Sequence, residues 1–175
     1  MIHADQLARE AVREGTAGWS AVRDRFPDAF GPDGTLDRSC LARRVFASEA
    51  ERKELEAILH PRIRDLFRER VRSFEGRAEI LVYEVPLLFE TGLDREVDYT
   101  VSVDVPVPVQ RERLKARNGL DAAEIDRRLA SQLPRDERNR RADRVVSGEL
   151  PDSELSDTVR SILEDAKTRQ RRRES

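Results

Sequence analysis

Apolar residues recur along this chain with two different periods, and the change between them divides it. Up to about residue 77 the spacing is helical. Leu7, Ala8, Ala11 and Val12 share one face of a helix that begins at Asp5 and is stopped by Gly15. Trp19, Val22 and Phe26 stripe a second helix over residues 17–26. GPDGTLDR, with two glycines and a proline, predicts a loop or hairpin tip, and Leu36, Cys40, Leu41 and Val45 face inward from a short third helix. Ser48 and Glu51 have the spacing of a capping box, in which hydroxyl and carboxylate each take an unpaired backbone N–H. Leu55, Ile58 and Leu59 carry that helix to Pro61, where a kink or restart is expected. Ile63, Leu66, Phe67 and Val71 then continue the period, and SFEGR closes the block.

Beyond residue 78 the pattern becomes that of strands. EILVYEVPLLFE is a continuous apolar run, broken by Glu84 and Pro86, which predicts a strand buried on both faces and therefore parallel. Residues 99–104, YTVSVD, form a second such strand, and Arg144-Val-Val a short third. Helices over 108–116 and 122–131 lie between them, and alternation of strand and helix implies a parallel α/β sheet. A last helix over 153–168 carries Leu155, Val159, Ile162 and Leu163, and RQRRRES follows as a basic tail.

Composition narrows the class without naming a function. The chain has 175 residues, 39% charged and 38% apolar, enough for one domain with a core. A net charge of −2 argues against nucleic acid or an anionic membrane as partner. The single Cys40 excludes an internal disulfide and fits a reducing cytoplasm. No stretch is long enough to span a membrane, and the start carries no signal-peptide pattern.

The candidate chemistry lies at strand ends. Asp5 and Asp104 fall where strands stop, as does Glu84, and such ends face the ligand crevice of open parallel sheets. A carboxylate there can accept a proton from an attacking hydroxyl or help hold magnesium. For Asp104 a helix N-cap or a solvent-facing loop acid is the simpler reading; for Asp5, with a helix starting directly behind it, the functional one is stronger. Arg113 and Arg117 lie one turn apart on a helix, and Arg135, Arg138, Arg140 and Arg141 crowd LPRDERNRRAD. Either set is a solvated helix face or a fork of donors for phosphate oxygens. His60, before Pro61, either caps a carbonyl or faces a ligand; no histidine or cysteine spacing suggests zinc. The RQRRR tail reads as a solvated end rather than a nucleic-acid contact.

IHADQLARE, FGPDGTLDRSCLARRVF, LEAILHPRI, VYEVPLLFETGL, VSVDVPVPVQRERLKARNGL and ASQLPRDERNRRAD, in this order from Met1 to about Val146, resemble the dephospho-CoA kinase family. The resemblance implies ATP-dependent phosphorylation of the ribose 3′-hydroxyl of dephospho-CoA, the last step of coenzyme A synthesis. It also implies a fold: an α/β, P-loop kinase-like, three-layer parallel sheet with an inserted helical substrate domain over 9–77, a lid over 120–142 and the basic tail over 169–175. Asp5 falls on the general base and Arg113 on a phosphate-binding arginine, with Arg117 one turn on. Gln132, Arg135 and Arg138 fall in the lid over the ATP phosphates, and Arg9, His60 and Glu90 near the acceptor substrate. ATP with Mg2+ is the implied phosphoryl donor, and dephospho-CoA the small-molecule partner.

Three departures from the family pattern stand out. No glycine precedes Gly15 and no lysine precedes Lys53, so the glycine-rich loop that cradles phosphates, and the strand before it, are absent from this sequence. His3 replaces the first acid of the usual D-A-D, and Val146-Ser147-Gly148 stands where an Asp-Asn pair is usual. A sheet lacking its first, central strand leaves two unpaired edges and loses burial worth about 1.5–3 kcal/mol per large side chain. The expectation is therefore a sequence begun downstream of its true start or a truncated gene, with a sheet rearranged or completed by another chain as the other routes. The alternative function is a non-catalytic CoA-type ligand-binding or interaction module derived from that kinase. On the first reading, the DNA upstream of Met1 encodes in frame a glycine-rich loop ending in Lys-Ser or Lys-Thr; an in-frame stop codon directly before Met1, read by sequencing the locus, would exclude it.

Overall fold

The computed structural model describes residues 1–174 and divides into two compact units, Met1–Pro86 and the chain from Leu87 onward. The helical period of the first unit becomes α1 (Ala4–Ala11), α2 (Ala17–Arg25), α3 (Arg38–Ala47) and α4 (Glu49–Arg72). The strand β1 (Ile2–His3) precedes α1 and pairs in parallel with β2 (Tyr83–Glu84). Asp5, expected at the tip of a strand, instead lies in the first turn of α1, because the strand ends at His3.

Local chemistry fixes most of these ends. α1 stops at Ala11, short of the expected Gly15, and Gly15 takes a left-handed φ of 83° to turn the chain. The Thr16 hydroxyl then accepts the Trp19 N–H at 3.1 Å and starts α2. The expected capping box at α4 forms only by half. Ser48 accepts from the Glu51 N–H at 3.3 Å, but the Glu51 carboxylate turns away to the Arg44 guanidinium, an ion pair outweighing a bond to one backbone N–H. GPDGTL is a hairpin tip, with Phe30 bridged antiparallel to Leu36.

Pro61 does not restart α4, which runs unbroken past it. Instead it divides two cores. Before it, Leu55, Ile58 and Leu59 pack on a cluster of Val12, Val22, Phe26, Ala29 and Leu41. After it, Ile63, Leu66, Phe67 and Val71 pack with Ile2 and Leu7, and the Phe67 and Tyr83 rings stack 4.3 Å apart. α1 contributes to both cores, and α2 approaches it so closely that a Cβ on Gly18 would lie 2.0 Å from the Ala11 carbonyl oxygen.

In the second unit β3 (Val101–Asp104) and β4 (Arg144–Ser147) form a parallel pair, and α5 (Val107–Asn118), α6 (Ala122–Ala130) and α7 (Arg135–Arg141) lie between them in sequence. Asp121 and Glu124 complete the reciprocal capping box at α6. The closing helix α8 (Asp152–Glu174) continues through most of the expected tail, where Arg169 bonds the Asp143 carboxylate at 2.5 Å; Ser175 lies outside the described residues.

Two strand expectations need correction. EILVYEVPLLFE contributes only Tyr83–Glu84 to a ladder, because Pro86 has no N–H to donate and residues 87–93 coil into turns, with the Thr91 N–H on the Leu87 carbonyl at 3.1 Å. Strands expected to be buried on both faces are buried on one. Thr100 and Ser102 are inside, while Val103 is 63% exposed. The parallel sheet is present as two separate two-stranded sheets, one in each unit.

Phe26 is fully buried and Phe46 is 90% exposed, so the two phenylalanines make an internal comparison. Phe26→Ala should cost about 3–5 kcal/mol of unfolding free energy in urea titration, and Phe46→Ala less than about 0.5 kcal/mol.

Candidate active site

Each unit carries part of the chemistry, set by how its short parallel ladder is held. In the first unit His3 and Glu84 are register partners at the ends of β1 and β2, and His3 Nδ1 lies 2.5 Å from Glu84 Oε2. The histidine that replaces an expected acid, and the glutamate considered as a catalytic or magnesium-binding group, are thus engaged with each other. Asp5 follows two residues on, exposed in the first turn of α1, where negative charge is favoured by the helix dipole. No described residue hydrogen-bonds or ion-pairs its carboxylate, which leaves both oxygens open to a substrate hydroxyl.

Arg9 lies one turn beyond Asp5 on the same side of α1. It borders a cleft of about 600 Å³ that also takes in Arg13, Trp19 and Arg38. His60 is exposed on α4 and does not line that cleft, so the structure does not gather it with Arg9.

In the second unit the centre of charge is Asp104, at the end of β3. Its two oxygens receive Arg135 Nε at 2.7 Å and Arg135 Nη2 at 2.5 Å, and Arg138 Nη2 lies 3.8 Å away. The hydrogen bonds from Arg135 and Asn139 hold the Asp104 carboxyl down to about 2 from its ordinary 3.8. Asn139 also accepts the Ser102 hydroxyl at 3.0 Å. At the start of the same strand, just before Val101, the Asp143 carboxylate takes both the Thr100 N–H and the Thr100 hydroxyl at 2.9 Å. The polar face of β3 is therefore buried because α7 and the segment after it satisfy every second residue.

Asp104 is neither the helix cap nor the loose loop acid of the simpler readings. It anchors α7 through Arg135 and Arg138. The signal was present in the sequence: Thr100, Ser102 and Asp104 alternate with Val101 and Val103, a period of two that distinguishes a half-polar strand from a doubly buried one.

The remaining candidates in this unit sit around α7 and β4. Glu90 accepts the Leu133 N–H at 2.7 Å, pinning the turn that carries Gln132. Arg113 donates to the Gly148 carbonyl at 3.1 Å, just past β4. Arg117 is exposed one turn further along α5. Arg141 pairs with Asp94 at 2.9 Å and lies 4.8 Å above the Phe89 ring, the most buried apolar side chain of this unit after Ile125. Among the described residues no three His, Cys, Asp or Glu side chains gather closely enough to hold a metal ion.

Comparison with known proteins gives one consistent result. A sequence model of a family described as dephospho-CoA kinase matches residues 1–152. A dephospho-CoA kinase of Anaeromyxobacter dehalogenans is 42% identical over 167 residues, covering 94% of this chain and 79% of the relative. One from Corynebacterium glutamicum is 41% identical over 169 residues, covering 93% and 84%. Among solved structures, TT1252 from Thermus thermophilus superposes with a TM-score of 0.81 at 31% identity, covering 94% of this chain and 83% of that one. Dephospho-CoA kinase from Campylobacter jejuni shares the fold at a TM-score of 0.65 and 22% identity.

Asp104→Asn should release α7. Loss of the charged hydrogen bonds costs about 1–3 kcal/mol, and hydrogen exchange at residues 135–141 should accelerate in the variant. Because the folded carboxyl is held below its ordinary value, its stabilisation is complete above about pH 3.8 and is lost as pH falls towards 2. Acid unfolding curves of the two proteins should therefore converge in that window.

Proposed function

The chain belongs to the dephospho-CoA kinase family, and from that premise we propose that it transfers the γ-phosphoryl group of ATP to the ribose 3′-hydroxyl of dephospho-CoA, in the cytoplasm. The observation that carries the catalytic assignment is the open Asp5 carboxylate at the head of α1. Asp5 accepts the hydroxyl proton as the oxygen attacks phosphorus, which raises the nucleophilicity of that oxygen without a free alkoxide. The helices of residues 9–77 form the acceptor side, with Arg9 among its polar contacts and His60 outside the cleft that Arg9 borders.

Charge on the transferring group is met by arginine. Arg113 and Arg117 on α5 supply forked donors, and Gln132, Arg135 and Arg138 of the lid, residues 120–142, supply more. Arg135 and Arg138 already grip an anion, the Asp104 carboxylate, and phosphate oxygens are the charge for which they exchange it. The phosphoryl donor of the family is ATP with Mg2+, whose ion neutralises charge on the phosphates when bound. The described residues offer no cluster of three histidine, cysteine or acidic side chains for that ion.

The His3–Glu84 pair favours a second reading, a binding module that keeps the acceptor site without turnover, because it ties up an acid at a strand end where a kinase would use one. Mass spectrometry of dephospho-CoA incubated with ATP, Mg2+ and the chain distinguishes the two: a 3′-phosphorylated product supports the kinase, whereas calorimetric binding of dephospho-CoA with no product supports the module. For an active chain, Asp5→Asn should lower kcat by about 10²–10⁴-fold with little change in the affinity for dephospho-CoA.

A further inference from the structure

The cleft on the first unit holds more positive charge than the family resemblance assigned to it. Arg9 and Arg13 come from the end of α1 and the turn after it, and Arg38 from the first residue of α3. Several other arginines of this chain pair with carboxylates: Arg44 with Glu51, Arg111 with Asp126, Arg135 with Asp104, Arg141 with Asp94. Among the described residues Arg9, Arg13 and Arg38 have no such partner. Two carboxylates share the cleft, but Glu10 is already paired with Arg70 at 3.1 Å, leaving Glu14 alone against three guanidinium groups. Two positive charges remain in excess, in a recess large enough for part of a nucleotide conjugate.

The walls are equally specific. Trp19 borders the cleft, and its ring is fixed by the Arg23 guanidinium 4.4 Å above it and the edge of Phe30 5.7 Å away. Gly18 beside it lets α2 press against the end of α1, so the wall bearing Trp19 cannot recede from the wall bearing Arg13. Leu36 adds apolar surface. A fixed aromatic wall next to unpaired guanidinium groups suits a ligand with an uncharged arm attached to a compact dianion.

We propose that this cleft is the subsite for the diphosphate bridge of the acceptor nucleotide, with Arg9, Arg13 and Arg38 on its oxygens and Trp19 along the pantetheine arm. The proposal rests on the acceptor being dephospho-CoA and adds Arg13, Arg38 and Trp19 to the residues that select it. A diphosphate diester carries two negative charges, which balances the excess in the cleft. The arm on the far side of the bridge distinguishes the acceptor from the diphosphate of the donor nucleotide.

Trp19 is the only tryptophan of the chain, so its fluorescence reports this cleft alone. Titration with dephospho-CoA should change that emission saturably, while ADP, which has a diphosphate but no arm, should not do so at the same concentration. Arg13→Gln and Arg38→Gln should each weaken binding of dephospho-CoA by about tenfold, with unchanged urea midpoints because both side chains are exposed. Trp19→Ala should weaken calorimetric binding of dephospho-CoA, because it removes the aromatic wall along the arm; binding equal to the parent's would take Trp19 out of the subsite. If calorimetry detects dephospho-CoA while the Trp19 emission and the affinities of both arginine variants stay as in the parent, the subsite lies elsewhere and the acceptor assignment survives. An equal response to ADP would assign the cleft to the donor and overturn the proposal. No binding of dephospho-CoA by calorimetry would overturn the acceptor reading itself.

Discussion

A parallel pair of very short strands is a weak structure, and the need to hold two such pairs governs both units of this protein. A ladder of two to four residues has few hydrogen bonds and one neighbour per strand, so side chains must complete it. In the first unit the fastening is His3 on Glu84 together with the stacked Phe67 and Tyr83 rings. In the second it is the buried polar face of β3, where Thr100, Ser102 and Asp104 are met in turn by Asp143, Asn139 and Arg135.

That second fastening ties structure to function. The groups that satisfy β3 lie on or beside α7, so the same contacts that stabilise the strand also fix the direction of Arg135 and Arg138. Arg135 and Arg138 are consequently held on a carboxylate rather than free in solvent. The first unit uses a different principle. Its apolar contacts are distributed along α4 on either side of Pro61, so one long helix supports both cores and sets α1, with Asp5 and Arg9, against them.

How much of this is legible in the sequence depends on the range of the interaction. Helix positions, the Ser48 start, the Gly15 turn and the inward faces from Leu7 to Val71 follow from local spacing, because a helix closes its hydrogen bonds within four residues. The family motifs are equally local and single out Asp5, Arg113 and Arg135 as candidates. Strand extent is not local. Whether EILVYEVPLLFE pairs over twelve residues or two depends on what lies beside it, and Pro86 and the two-residue β1 decide that.

The sequence by itself therefore determined the helical stripe, the parallel character of the strands, the family and the identity of the candidate base. Only the tertiary structure decided which charges are already spent. It paired His3 with Glu84, Glu51 with Arg44 and Asp104 with Arg135, and left Arg9, Arg13 and Arg38 unmatched around one cleft. The reason is physical: a charge repeats in sequence without a period, and its partner is chosen by distance across the fold, which no window along the chain contains.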